Sequence, residues 1–273
     1  MRATPDKLSA RSGVIPYAPA LGEGRRITRA SILRAVDRPD RLELDWRDES
    51  VEESDGPAPG APIELLVSED EVFRGVIERV GELRDRTGWA RRLVAWSEWD
   101  ERRASIAREH FEVTDSELAT RIALALGLKP AVEPTIDVHE RISIEGDPLV
   151  FLRTRARAHG FELAVASGTL HFAGEIAGAG GRVERIVAGR DAMEIELEER
   201  VRGRYARVVV RGRPRFEPLG TVELSGFGGR RDGRFRVLRV RSRFAGGRFM
   251  SELDLLDIES GADLERFRRG SRP

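Results

Sequence analysis

The chain has 273 residues with 47 basic and 47 acidic side chains, so it carries no net electrostatic excess for bulk capture of nucleic acid or an anionic membrane. It has no cysteine, which excludes disulfides, thiolate metal sites and a cysteine nucleophile. The length suffices for one or two packed cores. With no apolar run near the roughly 18 residues that span a bilayer and no apolar leader, the expectation is a soluble protein assembled in the cytoplasm.

Residues 1–25, with Pro5, Pro16 and Pro19 and no periodicity, read as an N-terminal arm, either flexible or lying on a neighbouring subunit. From Arg26 the pattern is strands. Leu42, Leu44 and Trp46 alternate with Glu43, Asp45 and Arg47, the signature of a sheet wet on one face. An acidic, Pro- and Gly-rich loop from Val51 to Pro62 precedes a strand through Ile63, Leu65 and Val67. Phe73 to Ile77, a charged turn at Asp85 to Gly88, and Arg91 to Trp96 complete the series, whose spacing suggests a barrel or a sandwich. Ser97 to Asp100 approximates a capping box and starts a helix expected to reach about Glu109. The first β unit is therefore placed at residues 26–112, including that helix.

Residues 113–180 read as an α/β module. Thr114 to Glu117 forms a capping box, Leu118, Ala119, Ile122, Ala123 and Leu126 make a buried stripe, and Gly127 with Pro130 stop the helix. Asp147 is a good N-cap, Pro148 suits the first helical position, and Leu149, Leu152 and Ala156 recur at helical spacing up to Gly160. Phe161, Leu163 and Val165 alternate into a strand, Ser167 and Gly168 turn it, and Leu170 to Phe172 return. Gly174 to Gly181 reads as a linker. In residues 181–260 strands are expected at Met193 to Leu197, Ala206 to Arg211, Thr221 to Leu224, Arg234 to Phe244 and Phe249 to Leu256, before an Arg-rich tail over 261–273.

Motifs that carry chemistry are missing. Neither lysine, Lys7 or Lys129, follows a glycine, so there is no P-loop, and Arg231 stands where a dinucleotide loop over Gly226, Gly228 and Gly229 needs its last glycine. His139 and Glu140 open a zincin motif, but Ser143 occupies the second ligand position; His110, His159 and His171 are scattered without ligand spacing. No Gly-x-Ser-x-Gly elbow occurs, and no catalytic, cofactor or metal residue is assigned. Trp96 and Trp99 are close enough to suggest sugar stacking, but packing at a strand–helix corner accounts for them.

Two charged stripes stand out. Arg239, Arg241 and Arg243 alternate with Leu238, Val240, Ser242 and Phe244, while Glu194, Glu196 and Glu198 alternate with Met193, Ile195 and Leu197. Each strand thus has one apolar and one like-charged face, which is either simply solvated or sets pairing and partner choice, within the chain or across a subunit boundary.

The stretch from Ile142 to Phe172 carries a resemblance to a known family. An acidic residue four before Phe151-Leu152, a short amphipathic helix, the run His159 to Leu163, a hairpin and Leu-x-Phe are similar to baseplate hub proteins of contractile phage tails and injection systems. These are the late-control D-type tail proteins, related to the opening region of type VI secretion spike proteins. Glu217 to Phe244 resembles the family's second barrel, although Ser242 stands where many relatives carry histidine. The resemblance implies an α+β, mostly β fold, with two similar tube-forming β-barrels flanking the small helix-plus-hairpin module. It implies a non-enzymatic homotrimer that joins a threefold tail spike protein to a sixfold inner tube protein, with tape-measure or cargo as further partners, in a virion or injection particle. It implies no nucleic-acid specificity, cofactor or stable membrane insertion. Because the chain ends soon after the second barrel, a stand-alone hub with a separate spike chain is expected. The alternative is a peptidoglycan-binding module of the LysM kind, for which Thr114 to Leu128 supplies the helix closed by Ala-Leu-Gly-Leu.

Overall fold

The computed structural model describes residues 16–22, 25–48, 56–85, 88–97, 108–174, 176, 183–200, 203–212 and 216–258. The fold is mostly β, with two α-helices. In chain order the elements are β1 (Pro16–Tyr17), β2 (Arg25–Ala35), β3 (Arg38–Asp48), β4 (Pro62–Val67), β5 (Asp70–Asp85), β6 (Gly88–Trp96), β7 (Glu109–Thr114), α1 (Asp115–Ala125), β8 (Lys129–Val132), β9 (Val138–Ser143), α2 (Pro148–Ala158), β10 (Glu162–Ala166), β11 (Thr169–Ala173), β12 (Val183–Val187), β13 (Ala192–Arg200), β14 (Gly203–Arg211), β15 (Thr221–Ser225), β16 (Gly233–Ala245) and β17 (Arg248–Asp257).

The alternation read from the sequence builds the strands, and pairing joins twelve of them in one sheet, while β10, β11 and β8 form a three-stranded sheet and β7 and β9 a two-stranded one. The path of the large sheet runs β1-β4-β5-β6-β3-β2-β16-β17-β14-β13, with β15 also on β16 and β12 on β15. The expected separate barrels are not seen as closed ladders among the described residues. β2 pairs antiparallel with β16, from Arg29 opposite Ala245 to Ala35 opposite Arg239, so the two β-rich halves share a ladder.

The halves repeat each other in register. In the first, the hairpins β2–β3 and β5–β6 meet through their second strands, β3 against β6; in the second, β13–β14 and β16–β17 meet through β14 against β17. The irregularities coincide too. A bulge at Ile77/Arg79 on β5 matches one at Val237/Arg239 on β16, counted from the hairpin turn, and one at Ile27/Arg29 on β2 matches Ala192/Glu194 on β13. On the N-terminal part of β5 sits β4, with Glu64 opposite Arg74; on the corresponding part of β16 sits β15, with Glu223 opposite Arg234.

Each half has its own core. Leu42, Leu44, Trp46, Ile63, Leu65, Ile77 and Leu93 fill the first, closed at one side by Ala18 and Leu21. Part of the expected arm is therefore packed structure: Pro16–Tyr17 pairs with β4 and Leu21 is buried. Val208, Val210, Val222, Phe235, Val240, Leu253 and Leu255 fill the second. The expected helix after Ser97 lies almost wholly outside the described residues, as do Trp99, residues 1–15 and the tail 261–273; at Glu109 a strand begins.

The module has a third core, in which α1 and α2 cover β8, β10 and β11. Thr114 forms the expected capping box with Glu117, and the Asp147 carboxylate accepts from the Leu149 and Val150 amides. The module docks through β10: Leu163 and Val165 face its own core, whereas Ala164 and Ala166 pack with Leu219, Leu238 and Leu256 of the second half. Arg236 pairs with Glu162 at 3.0 Å, Arg153 with Asp37 at 3.3 Å, and the Val165 amide donates to the Asp37 carboxylate.

Candidate assembly surface

The charged stripes lie on one face of the second half, opposite its core. Val240, Leu253 and Val208 stand across from one another inside, so their neighbours Arg241, Glu252 and Val209 stand across from one another outside. The two stripes are not neighbours within the chain, because β17 and β14 lie between β16 and β13. One column of alternating sign, Arg239, Asp254, Arg207 and Glu196, bridges them. Arg239 contacts Asp254 at 2.5 Å and Arg243 contacts Glu252 at 3.6 Å. Arg207 on β14 reaches Asp254 at 3.3 Å, Glu252 at 3.5 Å and Glu196 at 3.7 Å. Arg207 is half-exposed and holds these contacts within reach of solvent, where each pair contributes about 0–1 kcal/mol. They favour one register more than they stabilise the fold.

Two residues in the stripes do not alternate as expected, and both sit at bulges. Met193 is the extra residue between Ala192 and Glu194; it is 48% exposed, and Ala192 faces the core in its place. Leu238 is the extra residue between Val237 and Arg239; it is buried, but against the module rather than within the core of its own half. A bulge inserts one residue and changes which face it serves, which an alternation count cannot anticipate.

At the junction of the halves, the tip of the β16–β17 hairpin leaves its own core. Phe244 and Phe249, with ring centroids 5.1 Å apart, belong to the core of the first half, beside Ala30, Ile32 and Trp46. On the charged face of this junction Arg29, Ser31, Arg41, Glu43, Arg241 and Arg243 line a shallow cavity of about 200 Å³.

A buried cluster in the module escaped the sequence reading. Asp115, 0% exposed, accepts two hydrogen bonds from Arg155 at 2.8 Å and one from His159 Nε2 at 2.7 Å, with His139 Nε2 at 3.3 Å. Burial pushes this carboxyl up, but the hydrogen bonds from Arg155 and His159 outweigh it and hold the pKa at about 2. Arg155 donates to both oxygens of the carboxylate, so the cluster ties α1, β9 and the end of α2 together around an ion pair. No group of three or more His, Cys, Asp or Glu side chains placed to hold a metal occurs among the described residues. Gly226, Gly228 and Gly229, all with positive φ, form a turn from β15 into β16.

This arrangement, two equivalent β halves with a helical module docked mainly on the second, is shared with several solved proteins. The chain is similar to the 43 kDa tail protein of prophage MuSo2 from Shewanella oneidensis, with a TM-score of 0.67, 12% identity, and coverage of 91% of this chain and 97% of that one. It is similar to a tail protein from Neisseria meningitidis MC58, with a TM-score of 0.66, 13% identity, and coverage of 90% and 97%. It is also similar to the Escherichia coli c3393 protein, a type VI secretion component described as resembling the T4 tail proteins gp27 and gp5, with a TM-score of 0.65, 11% identity, and coverage of 89% and 76%. At these identities the likeness is one of fold. No family model and no curated protein sequence matches the chain.

Proposed function

We propose that the protein is a structural hub of a contractile tail or injection particle, a homotrimer that joins a threefold spike to a sixfold inner tube. The observation that carries this reading is the in-register repeat of the two β halves. A ring that must offer six equivalent docking surfaces from three chains needs each chain to contribute the same surface twice. Each half is then one tube-forming unit, the pair flanking the module in sequence, and the open centre continues the channel of the tube. The partners are the spike chain, the inner tube protein, and tape-measure or cargo passing through; the protein is assembled in the cytoplasm and ends in the particle. The likeness in fold to phage tail proteins and to a type VI secretion component supports this role. The role is architectural and needs no catalytic group.

The solution mass of the full chain, alone and with its spike chain, tests the reading. A trimer, or a monomer that trimerises on the spike, is expected. A monomer inert to both spike and tube proteins would overturn it.

A further inference from the structure

The shallow cavity at the seam of the two halves is built from three strands. Its floor is β2, and its walls are β16 of the second half and β3 of the first. In one row Leu33 stands between Arg241 and Arg41; in the next, Ser31 stands between Arg243 and Glu43. Arg29, opposite Ala245, follows on the same face. Ala30, Ile32, Leu42 and Phe244 face the core, so these alternate residues all rise on the outer side. Strands lie about 4.8 Å apart, which sets the backbones of Arg241 and Arg41 about 10 Å from each other across an uncharged floor. Between them is the space of about 200 Å³.

Four arginines and one glutamate line that space, and the acids nearby are engaged elsewhere. Glu43 contacts Arg41 at 2.6 Å through one of its oxygens. Asp45, across from Arg29, is buried and takes two hydrogen bonds from Arg92. Glu252, across from Arg241, reaches Arg243 at 3.6 Å and Arg207 at 3.5 Å. Arg29 and Arg241 therefore make no ion pair with a described residue. The Arg41 guanidinium lies 5.5 Å from the Trp96 ring centroid, yet its buried Nε finds no hydrogen-bond acceptor among the described residues. An orphaned buried donor costs about 1–3 kcal/mol, and the four cations repel one another. An oxyanion seated among them offsets the repulsion and supplies acceptors.

We propose that this cavity binds inorganic phosphate. Guanidinium forks match the oxygens of a phosphate, and the Ser31 hydroxyl on the floor is a further donor. Glu43 selects among anions. Its other oxygen accepts no hydrogen bond from a described residue, and it can accept one only from an anion that carries a proton. Hydrogenphosphate keeps a P–OH at neutral pH. Sulfate and the phosphodiesters of nucleic acid have none, and a phosphomonoester, with its second pKa at about 6, has lost its own. Those anions set lone pairs against the carboxylate. The bound ion spans β16, β2 and β3, so it ties the two halves at their seam. The site lies within one chain and stands apart from the hub reading.

Calorimetric titration of the full chain with sodium phosphate, in chloride buffer near neutral pH and at fixed ionic strength, tests the site. One saturable site is expected, with sulfate, phenyl phosphate and a short oligonucleotide each weaker by about ten-fold or more. Saturating phosphate is expected to raise the urea midpoint, as mass action requires of a ligand of the folded chain. Arg29→Ala and Arg241→Ala break no ion pair and leave the chain folded; each is expected to weaken phosphate by about ten-fold or more. Glu43→Gln is expected to bring sulfate within about three-fold of phosphate. Equal binding of phosphate and sulfate, unchanged by Glu43→Gln, overturns the assignment and leaves an adventitious ion only. Tighter binding of the monoester or the oligonucleotide than of phosphate overturns it as well. No saturable heat and no shift of the urea midpoint overturns the site altogether. None of these outcomes bears on the oligomeric state, which tests the hub reading separately.

Discussion

At one place in the shared pairing pattern the first half carries Glu78 and the second carries Leu238. Both are bulge residues, yet Glu78 is exposed and accepts from the Trp96 indole at 2.9 Å, while Leu238 is buried against the module. A few residues along, Phe73 and Gly75 in the first half correspond to Gly233 and Phe235 in the second. The aromatic ring has moved by two positions on one face. A Cβ on Gly75 would lie 2.1 Å from the Trp96 carbonyl oxygen and 2.9 Å from the Phe73 ring, so the ring of Phe73 and the missing side chain of Gly75 go together. Glu82 and Arg91, 3.9 Å apart, correspond to the buried pair Ser242 and Ser251, 2.9 Å apart. The backbone pattern is held constant while the side chains diverge according to what covers them: the module and the other half on one side, solvent on the other.

The most damaging way to break this comparison is to exchange the bulge residues. Leu238→Glu places an unpaired carboxylate in the contact with the module and is expected to cost about 5 kcal/mol in urea unfolding, whereas Glu78→Leu is expected to cost under about 1 kcal/mol. Gly75→Ala is expected to cost about 3 kcal/mol, because the clash is with backbone and with a packed ring rather than with a flexible side chain.

The pH dependence sharpens it. Asp115 in the module has a folded-state pKa of about 2, below the ordinary 3.8, so its contribution is present above pH 4 and is lost as the pH falls toward 2. That contribution is about 2 kcal/mol, and Asp115→Asn should remove this acid limb. Asp40 in the first half has the opposite sign. Burial raises it to about 6, with Arg34 lowering and Glu217 raising it, so the folded form binds the proton more tightly than the unfolded chain does. Its effect is a gain in stability as the pH falls from above 6 toward 4, and Asp40→Asn should flatten that limb alone. A smaller effect concerns the serine pair: Ser242→Ala is expected to cost about 1 kcal/mol, because it leaves the Ser251 hydroxyl buried without its partner. The double change Ser242→Ala with Ser251→Ala is expected to cost less than the sum of the two single changes.

Local features were legible in the sequence because local forces set them. The capping box at Thr114, the N-cap at Asp147, the helix stops and the alternation of Leu42, Leu44 and Trp46 all appear as expected. The strands β7, β8, β9 and β12 bury no regular alternation of residues, so periodicity does not mark them. The joining of the halves through β2 and β16 depends on residues some two hundred positions apart, which periodicity does not report. The Asp115 cluster unites side chains from α1, β9 and α2 for the same reason. The charged stripes were visible as stripes, but their neighbours, Arg207 between Glu196 and Asp254 above all, follow from strand order. A signal for the repeat was present in Ile63-Glu64-Leu65 and Val222-Glu223-Leu224, which occupy equivalent places on β4 and β15.

The ladder shared by β2 and β16 also bears on which insertions and deletions the chain can accept. Losing one residue from the middle of either strand would turn the remainder over, sending arginines inward and core residues such as Ile32 or Phe244 outward in both halves at once. The same loss in the exposed turn at Ser68–Glu69 or at Gly246–Gly247 would trouble a single hairpin. Length variation among natural versions of this protein should therefore gather at the hairpin ends and spare the seam.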